Sequence, residues 1–327
     1  MLMQKNSVYL HRVTIKNTTL LLTFKLTSMK KFKVIYVALM GMLAASCGSE
    51  NLESASVDNQ TMVPVKVHVS DFSISVEDYS GVRTRAATDV ANYDGVNAIT
   101  LAFYRGTTEA YKTTQLKSSL GEGETLGEFS LNLPMGSYTM VAVAYYNSEA
   151  SPLVITSPTA AGFTGPRAYE TFATTQTVNI TNTNAVDISA TLSRIIAQLK
   201  VVSTDGKTAD VTNVRMTFSG GSKSFNPTSG YATDDSGFAN TVSNSADVGA
   251  TSISSSFLFL STDEQNIDVT IETLDADGNT LFSKTIENVP FKRNCLTRLT
   301  GAMYSGSDIG ASFQVDSDWL EQYNAEF

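Results

Sequence analysis

Few residues in this 327-residue chain are suited to chemistry. It has two cysteines, Cys47 and Cys295, and two histidines, His11 and His68. A stapled secreted scaffold needs several paired cysteines, so stability has to come from packed cores. A Ser–His–Asp or Cys–His centre needs a histidine base. His68 lies on the polar side of an alternating stretch and reads as a solvated strand residue. A zinc site would need more nitrogen and sulfur ligands than remain. Proline is scarce, at 7 residues, no helical periodicity is sustained in the main body, and no fixed-period repeat is visible. Acidic residues are absent from residues 1–46, which hold seven Lys or Arg. From Cys47 onward 16 basic residues face 32 acidic ones, a formal charge of −16. Such a surface repels phosphate backbones, which argues against nucleic acid as a partner.

The basic start has its own logic. Met29-Lys30-Lys31-Phe32-Lys33 precedes an apolar run from Val34 to Leu43, then Ala44-Ala45-Ser46-Cys47. A positive segment, a short apolar run and small residues make an export signal. The run is too short for a spanning helix, which needs roughly 20 residues. Leu43-Ala44-Ala45-Ser46-Cys47 resembles the bacterial lipobox. The resemblance implies cleavage before Cys47 and lipidation of its thiol, including an acyl chain such as palmitate. Several chains together anchor a protein stably, where one does so marginally. The organisation read from this is an upstream extension (1–28), a lipoprotein signal peptide (29–46), a polar tether (47–60) and a folded body.

The body is rich in Thr, Ser, Val and Ile, which favour pleated, half-buried surfaces. Val63-Pro64-Val65-Lys66-Val67-His68-Val69 and Phe72-Ser73-Ile74-Ser75-Val76 alternate with period two, the mark of strands with one buried face. Residues 78–88 are polar and loop-like and contain Arg83 and Arg85. Further strands are expected at 99–104, 128–133, 138–146, 178–180, 186–190, 192–202, 211–218, 257–260 and 267–274. Asp277-Gly278 then makes a hairpin with 280–286. Residues 219–252 read as a long loop with short strands. Many short strands between turn signals predict an all-β protein of sandwich type. The expected domains are an N-terminal β-sandwich (61–191) and a C-terminal one (192–327).

Other candidate motifs read as structure. Asp275-Ala276-Asp277-Gly278-Asn279 lacks the glycine and glutamate that a calcium loop needs at its sixth and twelfth positions, and is read as a turn. Gly121-Glu122-Gly123-Glu124 would repel phosphate. Cys295 reads as an ordinary half-buried residue. No carboxylate pair is singled out. The body is therefore expected to be non-enzymatic and to use no cofactor or metal.

Three stretches carry a family resemblance: Leu133-Pro134-Met135-Gly136-Ser137-Tyr138, Leu192-Ser193-Arg194-Ile195-Ile196-Ala197-Gln198-Leu199-Lys200-Val201, and Arg293-Asn294-Cys295-Leu296-Thr297-Arg298-Leu299-Thr300-Gly301, with a late Trp319. With the lipobox, their order resembles the fimbrillin-like proteins of Bacteroidales. That resemblance implies two transthyretin-like β-sandwiches in tandem, building a type V pilus at the cell surface. It implies an outer-membrane lipid anchor, other fimbrial subunits as partners, and an arginine-specific protease that cuts after Arg83 or Arg85. The cut would release Val63–Val76, and a strand from another subunit would fill the vacated groove. The implied donor is the tail around Phe313, Val315 and Trp319. A core strand of its own domain is the alternative for that tail. An alternative for the whole protein is a monomeric surface lipoprotein that stacks sugars on Tyr145, Tyr146, Tyr169 or Tyr231.

Overall fold

The computed structural model describes residues 61–77, 83–89, 93–304 and 314–316, with backbone alone for 73–77, 83–89 and 314–316. All belong to one compact unit, Gln60–Phe327. Cys47, Phe313 and Trp319 lie outside the described residues, as do the export signal and the tether. The described chain is all-β, with one short 3-10 turn at Lys117–Ser119 and no α-helix among the described residues.

The alternation from Val63 onward becomes one long strand, β1 (Met62–Glu77). Its two expected pieces are continuous because a bulge between Val69 and Asp71 resets the alternation without ending the strand. The next strand is β2 (Arg83–Asp89), antiparallel to the second half of β1. This stretch reads as loop by composition. It is a strand because β1 offers it a ladder, and charged or small residues are common on edge strands.

The first sheet contains eight strands. Its path runs from β2 and β1 through β10 (Val186–Arg194), β9 (Thr171–Ile180) and β6 (Gly136–Tyr145) to β3 (Ala98–Arg105) and β4 (Thr108–Leu116). β5 (Glu128–Pro134) pairs with the first half of β1. β10 meets β9 at only two residue pairs, Ser193–Ala173 and Arg194–Phe172. That short junction lets the sheet turn over on itself. The two arms face each other across one core: Val63, Val67 and Leu133 from one arm meet Ile99, Phe103, Tyr138 and Met140 from the other.

Two further sheets face each other later in the chain. One is β15 (Ile253–Leu258), β11 (Ala197–Ser203), β18 (Leu296–Gly301) and β19 (Gln314–Asp316). The other is β14 (Phe238–Ser243), β12 (Asn213–Phe218), β16 (Glu264–Leu274) and β17 (Thr280–Lys292). Between them pack Leu199, Val201, Met216, Val269, Ile271, Phe291 and Leu299. A small sheet of β7 (Leu153–Ser157), β8 (Ala160–Phe163) and β13 (Ser224–Phe225) covers a third cluster. This cluster combines Tyr104, Val141, Tyr145 and Phe163 with Ile195, Phe225 and Phe259, so it joins the earlier and later halves of the chain.

The stretch 219–252, expected as a long loop with short strands, contains the two-residue β13 and the six-residue β14. The sequence hides β14 because its inward position is polar: Asn240 is fully buried and its amide donates to Ser256 Oγ at 2.9 Å. The hairpin at Asp277-Gly278 forms as expected. Gly278 has φ +85°, and Asp275 accepts from the Asn279 backbone at 2.8 Å.

Candidate functional site: the leading strand and its groove

β1 is inserted into its sheet. Its first half lies between β5, antiparallel, and β10, parallel. Val63, Val65, Val67, Val69 and Phe72 are each at most 1% exposed. Burying a valine or phenylalanine side chain contributes about 1.5–3 kcal/mol, so these five together hold a large share of a domain's net stability. The groove fits the backbone closely as well. Gly127, at φ +101°, approaches Val69 so nearly that an added Cβ would lie 2.4 Å from its carbonyl oxygen, while the Val69 N–H donates to Gly127 O at 2.9 Å.

The outward face of β1 is polar. His68, the histidine of the sequence reading, is half-buried and contacts Glu128 of β5, Nδ1 to Oε2 at 2.6 Å. It is a cross-strand pair at the rim of the groove.

Beyond the bulge the groove ends in an aromatic box. The Phe72 ring stacks on Phe172 at 4.1 Å and meets Tyr93 edge-on at 5.6 Å. Behind the rings sits a buried ion pair, Arg194 Nη2 to Glu170 Oε1 at 2.7 Å. The Tyr93 hydroxyl donates to the same Glu170 oxygen at 2.7 Å and accepts from Arg194 at 3.0 Å. Arg194 also lies 4.8 Å from the Phe172 ring centre and donates to Asn294 Oδ1 at 3.2 Å. Gly95 makes room for the cluster, since a Cβ there would fall 2.2 Å from Glu170 Oε2. Two of the motif stretches from the sequence thus converge: Arg194 belongs to one and Asn294 to another.

The third motif is a structural lock. Tyr138 donates to the Pro134 carbonyl at 2.6 Å and accepts from Arg105 at 2.7 Å. These bonds tie the β5–β6 turn to β3.

Arg83 and Arg85 lie on β2, the outer strand of the sheet, opposite Glu77 and Ser75. Val315 lies on β19, opposite Leu299 of β18 at the edge of another sheet. The structure therefore places Val315 and the two arginines on different sheets.

The four tyrosines do not form one platform. Tyr145 is buried in a core, and burial raises its hydroxyl pKa. Tyr146 is 43% exposed and lies 5.3 Å from Tyr169, ring centre to ring centre. Tyr231 sits under the Arg293 guanidinium at 4.6 Å. Cys295 is half-buried and lines an open cleft of about 1090 Å³ with Arg194, Asp263, Glu264, Lys292 and Arg293. The cleft's charges largely satisfy one another, with Arg293 at 2.7 Å from Asp263 and Lys292 at 3.2 Å from Glu264. No cluster of three or more potential metal ligands occurs among the described residues.

Sequence reasoning missed Tyr93, Phe172 and Glu170. They come from three separate stretches, and only the apolar phase of 72 hinted at a pocket.

With β1 set in a groove between two strands, the chain is defined as an all-β protein with an inserted leading strand. It belongs to the family described as "Family of unknown function (DUF6562)", whose model matches residues 60–326. No curated protein matches it. Among solved structures it is similar to the fimbrial anchor protein Mfa2 from Porphyromonas gingivalis, at 12% identity and TM-score 0.46, covering 78% of this chain and 97% of that one. It is also similar to the tip fimbrial protein Mfa3 of the same organism, at 11% identity and TM-score 0.40, covering 79% and 100%. A third similar structure, from Bacteroides thetaiotaomicron, is described among polysaccharide-binding proteins, at 10% identity and TM-score 0.44, covering 74% and 92%.

Proposed function

We propose that this protein is a structural subunit or anchor of a cell-surface fimbria, exported as a lipoprotein through Cys47 and assembled by strand exchange. In this reading it comprises two sandwiches, the division expected between 191 and 192 falling inside β10, which runs on to Arg194 in the first sheet, and it is not an enzyme. The observation that carries the reading is the placement of β1. A strand seated between β5 and β10, with five fully buried apolar side chains, leaves an apolar trough and two unpaired backbone edges when it departs. Such a trough is filled by β-augmentation. Support also comes from the exit side, because Arg83 and Arg85 lie just beyond β1 on the outermost strand, in extended backbone.

The test is proteolysis of the exported protein with an arginine-specific protease, followed by native gel electrophoresis and electron microscopy. The expected result is a cut after Arg83 or Arg85 and a ladder of larger species. A chain that resists cutting there, or that stays monomeric after β1 is removed, overturns the strand-exchange reading.

One observation favours the carbohydrate-binding alternative: the partly exposed Tyr146–Tyr169 pair. Stable monomers retained on glycan beads, with retention lost in Tyr146→Ala, would support it.

A further inference from the structure

Away from the β1 groove, one end of the first sheet carries a cation that the protein does not use. β6 and β9 are antiparallel, with Tyr145 opposite Thr171. Just past that pair the Tyr146 N–H donates to the Glu170 carbonyl at 3.4 Å, which sets Tyr146 beside Tyr169. Their rings lie 5.3 Å apart and are tilted by 38°. Phe163 meets Tyr169 edge-on at 5.8 Å and itself stacks on the buried Phe259, so the pair is backed by a core. Tyr169 is half-buried, and Tyr146 presents its ring to solvent.

Arg167 completes the group. Its guanidinium lies over the Tyr169 ring, 4.9 Å from the centre. The residue is half-buried and its Nε is buried, yet the guanidinium makes no hydrogen bond or ion pair with any described residue. Arg105, Arg194, Arg215 and Arg293 each hold an oxygen acceptor. Drawing a guanidinium partly out of water without an acceptor costs stability, and its planar fork of donors matches a carboxylate. The surrounding backbone is pinned. The Ser151 hydroxyl donates to the Arg167 carbonyl at 2.5 Å, and Lys223 Nζ donates to the Gly165 carbonyl at 2.5 Å. Asn147 is tied to Asn97 by two bonds, at 2.6 and 3.2 Å. Rings and cation are thus held in place before any ligand arrives, which lowers the entropic cost of binding.

We propose that Tyr146, Tyr169 and Arg167 form a binding site for a carboxylate-bearing glycan: a sugar ring stacks on Tyr146, and a carboxylate of the same or the next sugar accepts two hydrogen bonds from Arg167. The inference rests on the carbohydrate reading of the Tyr146–Tyr169 pair, whose ligand class it names, and it is independent of strand exchange. Tyr169 contacts both partners, so the guanidinium and the Tyr146 ring centre are at most about 10 Å apart, the span of one or two sugars. Two rings and one cation are far smaller than the ~800 Å² per partner that a stable protein interface buries, which favours a sugar over a protein surface. The chain's acidic balance offers an anion no long-range attraction, so recognition is by local contact.

The test is affinity electrophoresis of the full chain in native gels containing polygalacturonate, alginate, hyaluronan or polysialic acid. Dextran, the methyl ester of each acidic glycan and poly-glutamate serve as comparisons. At least one acidic glycan is expected to retard the protein, and its methyl ester to bind at least ~10-fold more weakly, as loss of a charge-assisted hydrogen bond implies. Arg167→Gln and Tyr146→Ala should each weaken retardation by ~10-fold or more, with Arg167→Lys intermediate because it keeps the charge and loses the fork. Lys284→Gln, which removes one exposed positive charge elsewhere, should behave as the parent. Thermal melts by circular dichroism check that each variant folds, and Arg167→Lys carries the comparison if Arg167→Gln does not. If dextran and the methyl esters retard as strongly as the acids, or Arg167→Gln behaves as the parent, the carbohydrate reading stands and this proposal falls. If poly-glutamate retards equally, the ring contributes nothing, the site takes acidic peptide, and the proposal falls. If no polymer retards the chain, the carbohydrate reading falls with it.

Discussion

Phe72 and Tyr104 show how differently two buried rings can act. Phe72 lies on a strand that packs against three other strands of its sheet, and its ring contacts Tyr93 and Phe172 beside a buried charge pair. Phe72→Ala should destabilise the protein by about 3–5 kcal/mol, the range for truncating a buried aromatic that leaves a cavity. A urea titration followed by circular dichroism measures it directly. Tyr104 is fully buried, and its hydroxyl has no hydrogen-bond partner among the described residues. Burial, with a smaller effect from Glu109, pushes its pKa up to about 12. An unsatisfied buried hydroxyl costs roughly 1–3 kcal/mol, so Tyr104→Phe should leave stability unchanged or raise it by about 1 kcal/mol. A fall in melting temperature would show that the hydroxyl has a partner after all. Alternation marks Phe72 as core, whereas Tyr104 lies near the end of a strand, β3, that is buried on both faces, which alternation does not reveal. Sequence could not rank them, because the difference lies in neighbours supplied by residues 93, 170, 172 and 194.

At the scale of elements, cross-strand pairs decide local pH response. Arg215 on β12 lies opposite Glu272 on β16 and grips it with two bonds, at 2.6 and 2.7 Å. Those hydrogen bonds hold the Glu272 carboxyl below its ordinary value of 4.5. A depressed carboxyl contributes stability that is complete above its unfolded value and is lost as pH falls through the lower folded value. Glu272→Gln should therefore lower the urea midpoint at pH 7, and the two proteins should converge as pH falls well below 4.5. Parallel midpoints at every pH would remove the ion pair from the account. Elements also mark the limit of sequence reading. Strands with apolar alternation, such as β1, β5, β10, β12 and β16, are legible because one face is buried. β4 is missed because its residues are mostly exposed or half-buried, and β14, within a stretch expected to hold short strands, is not located because its buried position is asparagine. β2 is a strand through its partner and not through its own composition.

For the whole molecule, the question is whether β1 is a permanent part or an exchangeable one. A single cut between Glu77 and Arg83 leaves every buried contact of Val63–Phe72 in place. The two fragments should co-migrate in gel filtration at neutral pH and separate only in denaturant. Spontaneous loss of the small fragment would mean that the groove holds its strand weakly. The candidate site was legible in part. The leading alternation and the two following arginines are visible as residues. The trough that receives the strand is assembled from β5 and β10, some 60 and 120 residues further along, and appears only when the chain is folded.

The parallel pairing of β1 with β10 also sets an order of events. A hairpin partner can close on a strand within a few residues, whereas a parallel partner needs a crossover, here the whole stretch from Glu77 to Val186. The first strand to be synthesised is thus among the last that can be seated. Until residue 194 has emerged, the five apolar side chains have β2 and β5 beside them but lack the parallel wall, and any molecule that can shield them in that interval, or offer a trough already built, competes with β10.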